Sequence, residues 1–125
     1  MFDISTNGII SITRGDAART NLYVNLGTAL DPLYSKLGDN QKLYFGIMEP
    51  NQAFEDSIVR KVFTKADHCD PDDPLAVVIT FNCEDTVNLL PGVYYYSAKL
   101  YTDGGFSDAD KVDTLIPKTK FIILD

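Results

Sequence analysis

The sequence predicts an all-β protein, an antiparallel sandwich of about seven to nine strands. Glycine and proline recur at short intervals, and the segments between them are rich in β-branched and aromatic residues. Several of these segments also alternate apolar and polar residues, as half-buried strands do. Strands do not alternate with long amphipathic segments along the chain, and so a parallel sheet covered by helices is not expected.

Length and charge predict one acidic domain, spanning residues 1–125. A chain of 125 residues has the size of a single domain. Eleven Lys and Arg against 18 Asp and Glu leave a formal charge of -7, which opposes binding to a phosphate backbone. The longest apolar run, Leu75–Ile79, is far shorter than the roughly 20 residues of a membrane span. We therefore expect neither a nucleic-acid nor a membrane partner.

The first half of the chain contains three strand candidates. Ile9–Thr13 is apolar and β-branched and ends at a Gly-Asp turn. Thr20–Leu26 alternates and predicts a strand with one buried side. Residues 27–40 are polar and contain glycine, which indicates a connection with at most a short helical turn. Lys42–Glu49 alternates again and predicts a central strand, because both of its faces carry apolar side chains.

The segment Ala53–Lys65 is ambiguous between helix and strand. Phe54, Ile58 and Val62 are spaced four apart, as on an amphipathic helix. As a strand, the part from Ile58 to Thr64 would place Ile58, Arg60, Val62 and Thr64 on one face and Val59, Lys61 and Phe63 on the other, and the β-branched content favours this strand. The helix remains the alternative.

The second half predicts one apolar strand, one long alternating strand and two closing segments. An acidic loop from Asp67 to Pro74 precedes the apolar strand Leu75–Phe81. Residues 84–92 form a connection that ends in a Pro-Gly turn of type II. Val93–Thr102 then alternates over its whole length, and Thr114–Ile116 and Thr119–Leu124 close the fold.

The chain offers little material for catalysis, and we expect no enzymatic activity, no cofactor and no metal. It contains one histidine and none of the common nucleophile, phosphate-loop or zinc-protease motifs. We expect Cys69 and Cys83 to be reduced thiols, and the alternative is a single disulfide between them. The acidic runs in residues 67–73 and 103–113 are expected as solvated loops, with a loop calcium site as the alternative.

Tyrosines and the second acidic loop supply a candidate interaction surface. Tyr94, Tyr95 and Tyr96 are consecutive, so that a strand places a tyrosine on each of its faces. Tyrosines on an exposed sheet face commonly contact proteins or sugars. The residues that we assign to this surface are Tyr95, Tyr101, Asp103, Asp108 and Asp110.

Three segments resemble a known family. Thr86–Tyr96 matches the pattern Thr-x-x-Leu-x-Pro-Gly-x-Tyr-x-Tyr, Ile12–Asp16 has the form Ile-x-Arg-Gly-Asp, and Thr114–Ile116 introduces a closing strand. In this order the chain resembles the immunoglobulin-like N-terminal domain of tailed-phage baseplate upper proteins and related prophage structural proteins. The resemblance extends from Ile9 to Leu124.

The resemblance implies a fold, a structural residue and a function. The fold would be an immunoglobulin-like β-sandwich, with Tyr94 as its tyrosine corner, a ring in the core whose hydroxyl binds back to the preceding turn. The function would be that of a non-enzymatic virion component, in the capsid, neck, tail or baseplate. Such a component is made in the host cytoplasm, binds other virion proteins and forms a homo-oligomer in the assembly. The alternative from another class is a carbohydrate-binding or adhesion module that uses the exposed tyrosines and an acidic loop.

Overall fold

The protein is built from two β-sheets. The computed structural model describes residues 2–4, 8–25, 27, 30–103 and 111–125. Within these ranges, none of the helices is long and apolar enough to span a membrane. The described elements are nine strands, one short helix and two 3-10 turns: β1 (Phe2–Ile4), β2 (Ile10–Thr13), β3 (Ala18–Asn25), β4 (Tyr34–Ser35), β5 (Gln41–Met48), a 3-10 turn (Phe54–Asp56), β6 (Val59–Phe63), a 3-10 turn (Lys65–Asp67), β7 (Ala76–Phe81), α1 (Cys83–Thr86), β8 (Gly92–Thr102) and β9 (Lys111–Leu124).

The sheets contain six and three strands. Their orders are β1-β2-β9-β8-β5-β6 and β4-β3-β7. All pairs of strands are antiparallel except β2 and β9. These two strands run parallel, with Ile10 opposite Phe121 at one end and Thr13 opposite Leu124 at the other. The expectation of a wholly antiparallel sandwich is wrong for this pair, because no tight hairpin sets the direction of strands so distant in the chain. The coarser prediction, a mostly β protein with two sheets, is confirmed.

The core lies between the two sheets and is centred on Phe81 of β7. Its side chain is 1% exposed. Its ring centroid lies 5.9 Å from that of Phe2, 5.6 Å from Phe45 and 5.7 Å from Phe121, so that β7 joins the smaller sheet to three strands of the larger one. Alternate residues of β8, from Tyr96 to Leu100, also enter this core. The alternation predicted for this strand is therefore confirmed.

The remaining predictions for elements differ in detail from the structure. Residues 59–63 form a strand, as favoured, but a 3-10 turn precedes it. The two closing segments form one continuous strand, β9, whose register against β8 shifts near Pro117. Proline has no N–H to donate to a ladder and therefore fits at such an irregularity. The short strands β1 and β4 and the helix α1 were not predicted, because segments of two to four residues carry too little periodicity.

An ion pair closes one edge of the sandwich. Lys61 of edge strand β6 points inward, and its Nζ lies 2.8 Å from Oδ2 of Asp85 in α1. Both side chains are nearly buried, at 13% and 14% exposure. An inward-pointing charge on an edge strand opposes pairing with a foreign strand.

The turn between β2 and β3 is attached to α1. Gly15 has φ of +82°, a left-handed conformation that favours glycine. Its N–H donates to Oγ1 of Thr86 at 2.8 Å, and Thr86 is fully buried. Arg14, beside it, lies 3.4 Å from the side chain of Asp125. The Arg-Gly-Asp segment thus forms a structural turn.

Candidate functional site

The outer surface of the six-stranded sheet carries apolar side chains across four strands. The register places Tyr44 opposite Val62, and Tyr101 opposite Val112. Both valines are 50% exposed. The rings of Tyr44 and Tyr101 meet edge to face, with centroids 4.4 Å apart. We call these four residues, together with the adjacent Phe54, the aromatic face.

A cavity of about 410 Å³ opens on the aromatic face. Four members of the face line it, and Glu55 and Arg60 add one charge of each sign. A second depression of about 290 Å³ lies on the other side of Tyr101, with Lys42 and Asp103 among its lining residues. The first cavity, which has four aromatic residues in its walls, is large enough to take a ligand or side chains of a partner.

The segment 49–58 folds back over the sheet and forms one wall of the cavity. Lys118 of β9 donates from Nζ to the carbonyl oxygens of Pro50 and Gln52, both at 3.0 Å. Lys99 of β8 places its Nζ 4.7 Å from the ring centroid of Phe54, a cation–π contact. Two lysines of the sheet therefore hold this segment in place.

Gly46 of β5 allows the segment to approach the sheet closely. A Cβ at this position would lie 2.4 Å from Oγ of Ser57 and 3.0 Å from Cε2 of Phe54. Ser57 in turn donates from Oγ to the carbonyl of Phe54 at 2.6 Å. Any larger residue at position 46 would push Phe54 away from the cavity.

The outer surface of the same sheet is basic. Among the described residues of β5, β6, β8 and β9, the outward-facing charged side chains are all cations: Lys42, Arg60, Lys99, Lys118 and Lys120. The rest of the chain keeps six cations against all 18 acidic residues. The strands themselves therefore contribute only positive charge to this surface, and Glu55 of the segment 49–58 adds a negative charge at the cavity.

The structure places two of the predicted surface residues together and one apart. Tyr101 belongs to the aromatic face, and Asp103 lines the adjacent depression. Tyr95 faces the same side of the sheet, but Nζ of Lys118 lies 5.4 Å above its ring and covers it. Asp108 and Asp110 lie outside the described residues.

Five residues of the site were not predicted: Tyr44, Phe54, Arg60, Val62 and Val112. Tyr44 lies on a strand for which both faces were expected to be covered, and no local pattern indicates that β5 lies beside β8. Phe54 lies in the segment that was ambiguous between helix and strand. The signal that could have found them is the pair of alternating strands with a tyrosine on the outer face of each.

Tyr94 and Tyr96 point away from the aromatic face, and their hydroxyls donate to backbone carbonyls of the same chain. Tyr94 donates to the carbonyl of Leu90 at 2.7 Å. Tyr96 donates to the carbonyl of Gly8 at 2.5 Å, and burial raises the pKa of its phenol. Both tyrosines therefore carry structural hydrogen bonds.

The first acidic loop lies over the outer surface of the three-stranded sheet. Asp67 accepts from the N–H of Thr64 at 2.8 Å, in a capping box at the second 3-10 turn. Asp70 accepts from Nδ2 of Asn21 at 3.0 Å, and this bond lowers the pKa of the carboxyl. Within the described residues, no group of three His, Cys, Asp or Glu side chains converges as metal ligands would.

A second carboxylate of the loop is held by a tyrosine. Tyr23 donates its hydroxyl to Asp73, and the hydrogen bond to this carboxylate raises the pKa of the phenol. Asp72, between the two anchored aspartates, is exposed. The loop is thus pinned at two points and displays the residues between them.

His68 joins the loop to the rest of the fold. Its Nε2 accepts from the N–H of Leu37 at 2.9 Å, and its Nδ1 lies 3.0 Å from the carbonyl of Ala76. This pair of bonds requires a neutral ring with the proton on Nδ1. Cys69 and Cys83 are free and exposed.

Comparison of the chain with family models, with curated proteins and with solved structures finds no match. The functional proposal therefore depends on the geometry above and on the sequence resemblance.

Proposed function

We propose that this protein is a non-enzymatic structural component of a tailed-phage or prophage virion, which works by binding other proteins through the aromatic face. The observation that carries the proposal is the exposure of Val62 and Val112 beside the paired rings of Tyr44 and Tyr101. Aromatic residues are enriched at protein interfaces, and contiguous exposed apolar side chains mark such sites.

We also propose that the sandwich has the immunoglobulin-like topology. The order β6-β5-β8-β9 corresponds to the order C′-C-F-G of a variable-type domain, and β3 beside β7 corresponds to strands B and E. The bond from Tyr94 to the carbonyl of Leu90 has the form of a tyrosine corner at the start of strand F.

The assignment to a virion depends on the resemblance carried by Ile12–Asp16, Thr86–Tyr96 and Thr114–Ile116. The buried bond between Thr86 and Gly15 gives two of these segments a joint physical role, since it connects the turn in one to the short helix in the other. Symmetric virion assemblies need many identical copies of small binding domains, and a rigid sandwich with one adhesive surface is suited to that task.

The test is incorporation into particles. A host strain that lacks the gene is supplied with the wild-type chain, with Val62→Asp or with Leu90→Asp, and purified particles are analysed by quantitative mass spectrometry. Leu90 is the matched control, since it is 76% exposed and lies outside the aromatic face. We expect Val62→Asp to reduce incorporation by at least about tenfold, and Leu90→Asp to leave it unchanged. Absence of the wild-type chain from particles would refute the proposal, as would full incorporation of Val62→Asp.

A carbohydrate-binding module is the second candidate, favoured by the cavity itself. Its walls combine the rings of Tyr44 and Tyr101 with the charged groups of Glu55 and Arg60, and aromatic walls with a few polar groups are usual in small-molecule sites. A glycan-array signal that Tyr101→Ala abolishes would support this candidate. A wild-type chain that binds no glycan would remove it.

A further inference from the structure

The two outer surfaces of the sandwich carry complementary features. The aromatic face and the five cations lie on the six-stranded sheet. The segment Asp70–Pro74, which we call the acidic proline segment, lies over the three-stranded sheet and reads Asp-Pro-Asp-Asp-Pro. The cationic surface and the acidic segment therefore face opposite sides of the molecule.

The acidic proline segment is held in position through two of its aspartates, and the residues between them are exposed. Asp70 binds Asn21 and Asp73 binds Tyr23, both on the outer surface of β3. A segment ordered in advance loses little conformational entropy on binding. Pro71 and Asp72 are exposed, and so is Pro74.

The chemistry of this segment fits the cavity on the aromatic face. Pro71 and Pro74 are exposed apolar rings beside a turn in which the N–H of Asp73 donates to the carbonyl of Asp70 at 3.2 Å. The cavity that would take them is walled by Tyr44, Tyr101 and Phe54, and apolar groups favour such walls. The exposed Asp72, next to Pro71, would meet Arg60, which lines the cavity together with Glu55. The prolines thus match the rings of the cavity, and Asp72 matches Arg60.

We propose that the aromatic face of one copy of this chain binds the acidic proline segment of a second copy. Because the two surfaces lie on opposite sides of one sandwich, the contact is head-to-tail and generates a ring or a filament. The inference depends on the proposed function, since it names the partner of the same face.

The experiment measures self-association of the full chain by analytical ultracentrifugation. We expect the wild-type chain to form oligomers at low ionic strength, and to associate about tenfold more weakly at high ionic strength, because salt screens the charge pairs. Arg60→Glu places a carboxylate at the cavity and is expected to weaken association by at least about tenfold. Lys36→Glu reverses an exposed cation outside the face and is expected to change nothing.

Mixing two defective variants tests the head-to-tail geometry. Arg60→Glu retains the acidic proline segment, and the double variant Pro71→Ser with Asp72→Ser retains the aromatic face. Each alone is expected to be monomeric, and an equimolar mixture is expected to form dimers that grow no further. Far-UV circular dichroism checks the fold, and Arg60→Gln replaces Arg60→Glu if the latter does not fold.

Three outcomes would overturn the inference. The first is a wild-type chain that is monomeric at low ionic strength and high concentration. The second is a mixture of the two variants that forms no dimer, and the third is a variant that associates as well as the wild type. If the monomeric chain still enters particles in a Val62-dependent manner, the inference fails while the proposed function stands. If the chain forms oligomers but never enters particles, the inference stands while the proposed function fails.

Discussion

Replacing Thr86 by valine is expected to lower the free energy of unfolding by about 1–3 kcal/mol, because it leaves a shielded backbone donor without its acceptor. Oγ1 of Thr86 accepts from the N–H of Gly15 at 2.8 Å, and the threonine side chain is fully buried. Valine has almost the same shape, so that the substitution removes the hydrogen bond and leaves most of the packing contacts in place.

The magnitude can be measured by urea unfolding followed by far-UV circular dichroism, since the chain has no tryptophan to report by fluorescence. With a denaturant slope of about 1.3 kcal/mol/M, a loss of about 1.5 kcal/mol moves the midpoint down by about 1 M. Hydrogen exchange adds a local readout. The amide of Gly15 is expected to lose protection in Thr86→Val by more than its neighbours do.

Thr86→Ser is the matched control. It keeps the acceptor and removes one buried methyl group, which costs about 1 kcal/mol, and the amide of Gly15 should stay protected. A Thr86→Val protein with the wild-type midpoint and an unchanged Gly15 exchange rate would refute the reasoning, because it would show that the hydrogen bond contributes nothing.

Three further predictions concern the fold. Lys61→Met is expected to destabilise the protein by about 1–3 kcal/mol, since it leaves the nearly buried Asp85 without its cation. In a double-mutant cycle measured by urea unfolding, adding Asp85→Asn should recover part of this loss. If the effects of the two substitutions simply add, a direct interaction between the two side chains is contradicted. Phe81→Ala is expected to cost about 3–5 kcal/mol by opening a cavity among the core rings, measured by the same titration, and a loss below 1 kcal/mol would mean that Phe81 is not the centre of the core. Burial raises the pKa of Tyr96 above the usual 10.0, so that the unfolded chain releases this proton first as the pH rises. The stabilisation is complete below about pH 10 and is lost as the pH rises through the raised pKa, and an equal alkaline slope in Tyr96→Phe would contradict this assignment.

Strands with a regular alternation could be predicted from the sequence because apolar side chains mark the buried face of a strand and polar side chains its exposed face. In β8 each residue from Tyr96 to Tyr101 has the burial that the two-residue period predicts, apart from Ser97, which is covered although it faces outward. Ser97 is covered because the segment 49–58 lies over this surface, and its hydroxyl is satisfied there by donating to the carbonyl of Ile116. No local pattern contains that information.

The candidate site could be predicted only in part, for a related reason. Tyr101 and Asp103 belong to one strand end, and their common location follows from their proximity in the chain. Tyr44 and Arg60 join them through the pairing of β5 with β8 and with β6, which is set by contacts between distant segments. Pairing over such distances has no signature within a short window of residues.

For the acidic loop, too, the sequence predicts exposure but does not indicate which residues the carboxylates contact. Its composition predicts exposure, and the calcium alternative arose because carboxylates in a loop are the ligands that calcium prefers. The partners of these carboxylates, Asn21 for Asp70 and Tyr23 for Asp73, lie on β3 and come near only when the loop folds over the smaller sheet.

By itself, the sequence determined that this is a mostly β protein, which strands are long and regular, and which of their faces enters the core. These properties follow from the period of side chains along a strand, which is local. The tertiary structure alone decided the parallel pairing of β2 with β9, the closeness of Tyr44 to Tyr101, and the separation of a basic aromatic surface from an acidic one. The physical reason is that strand order and register arise from the joint burial of segments far apart in the chain, and only the folded core brings those segments together.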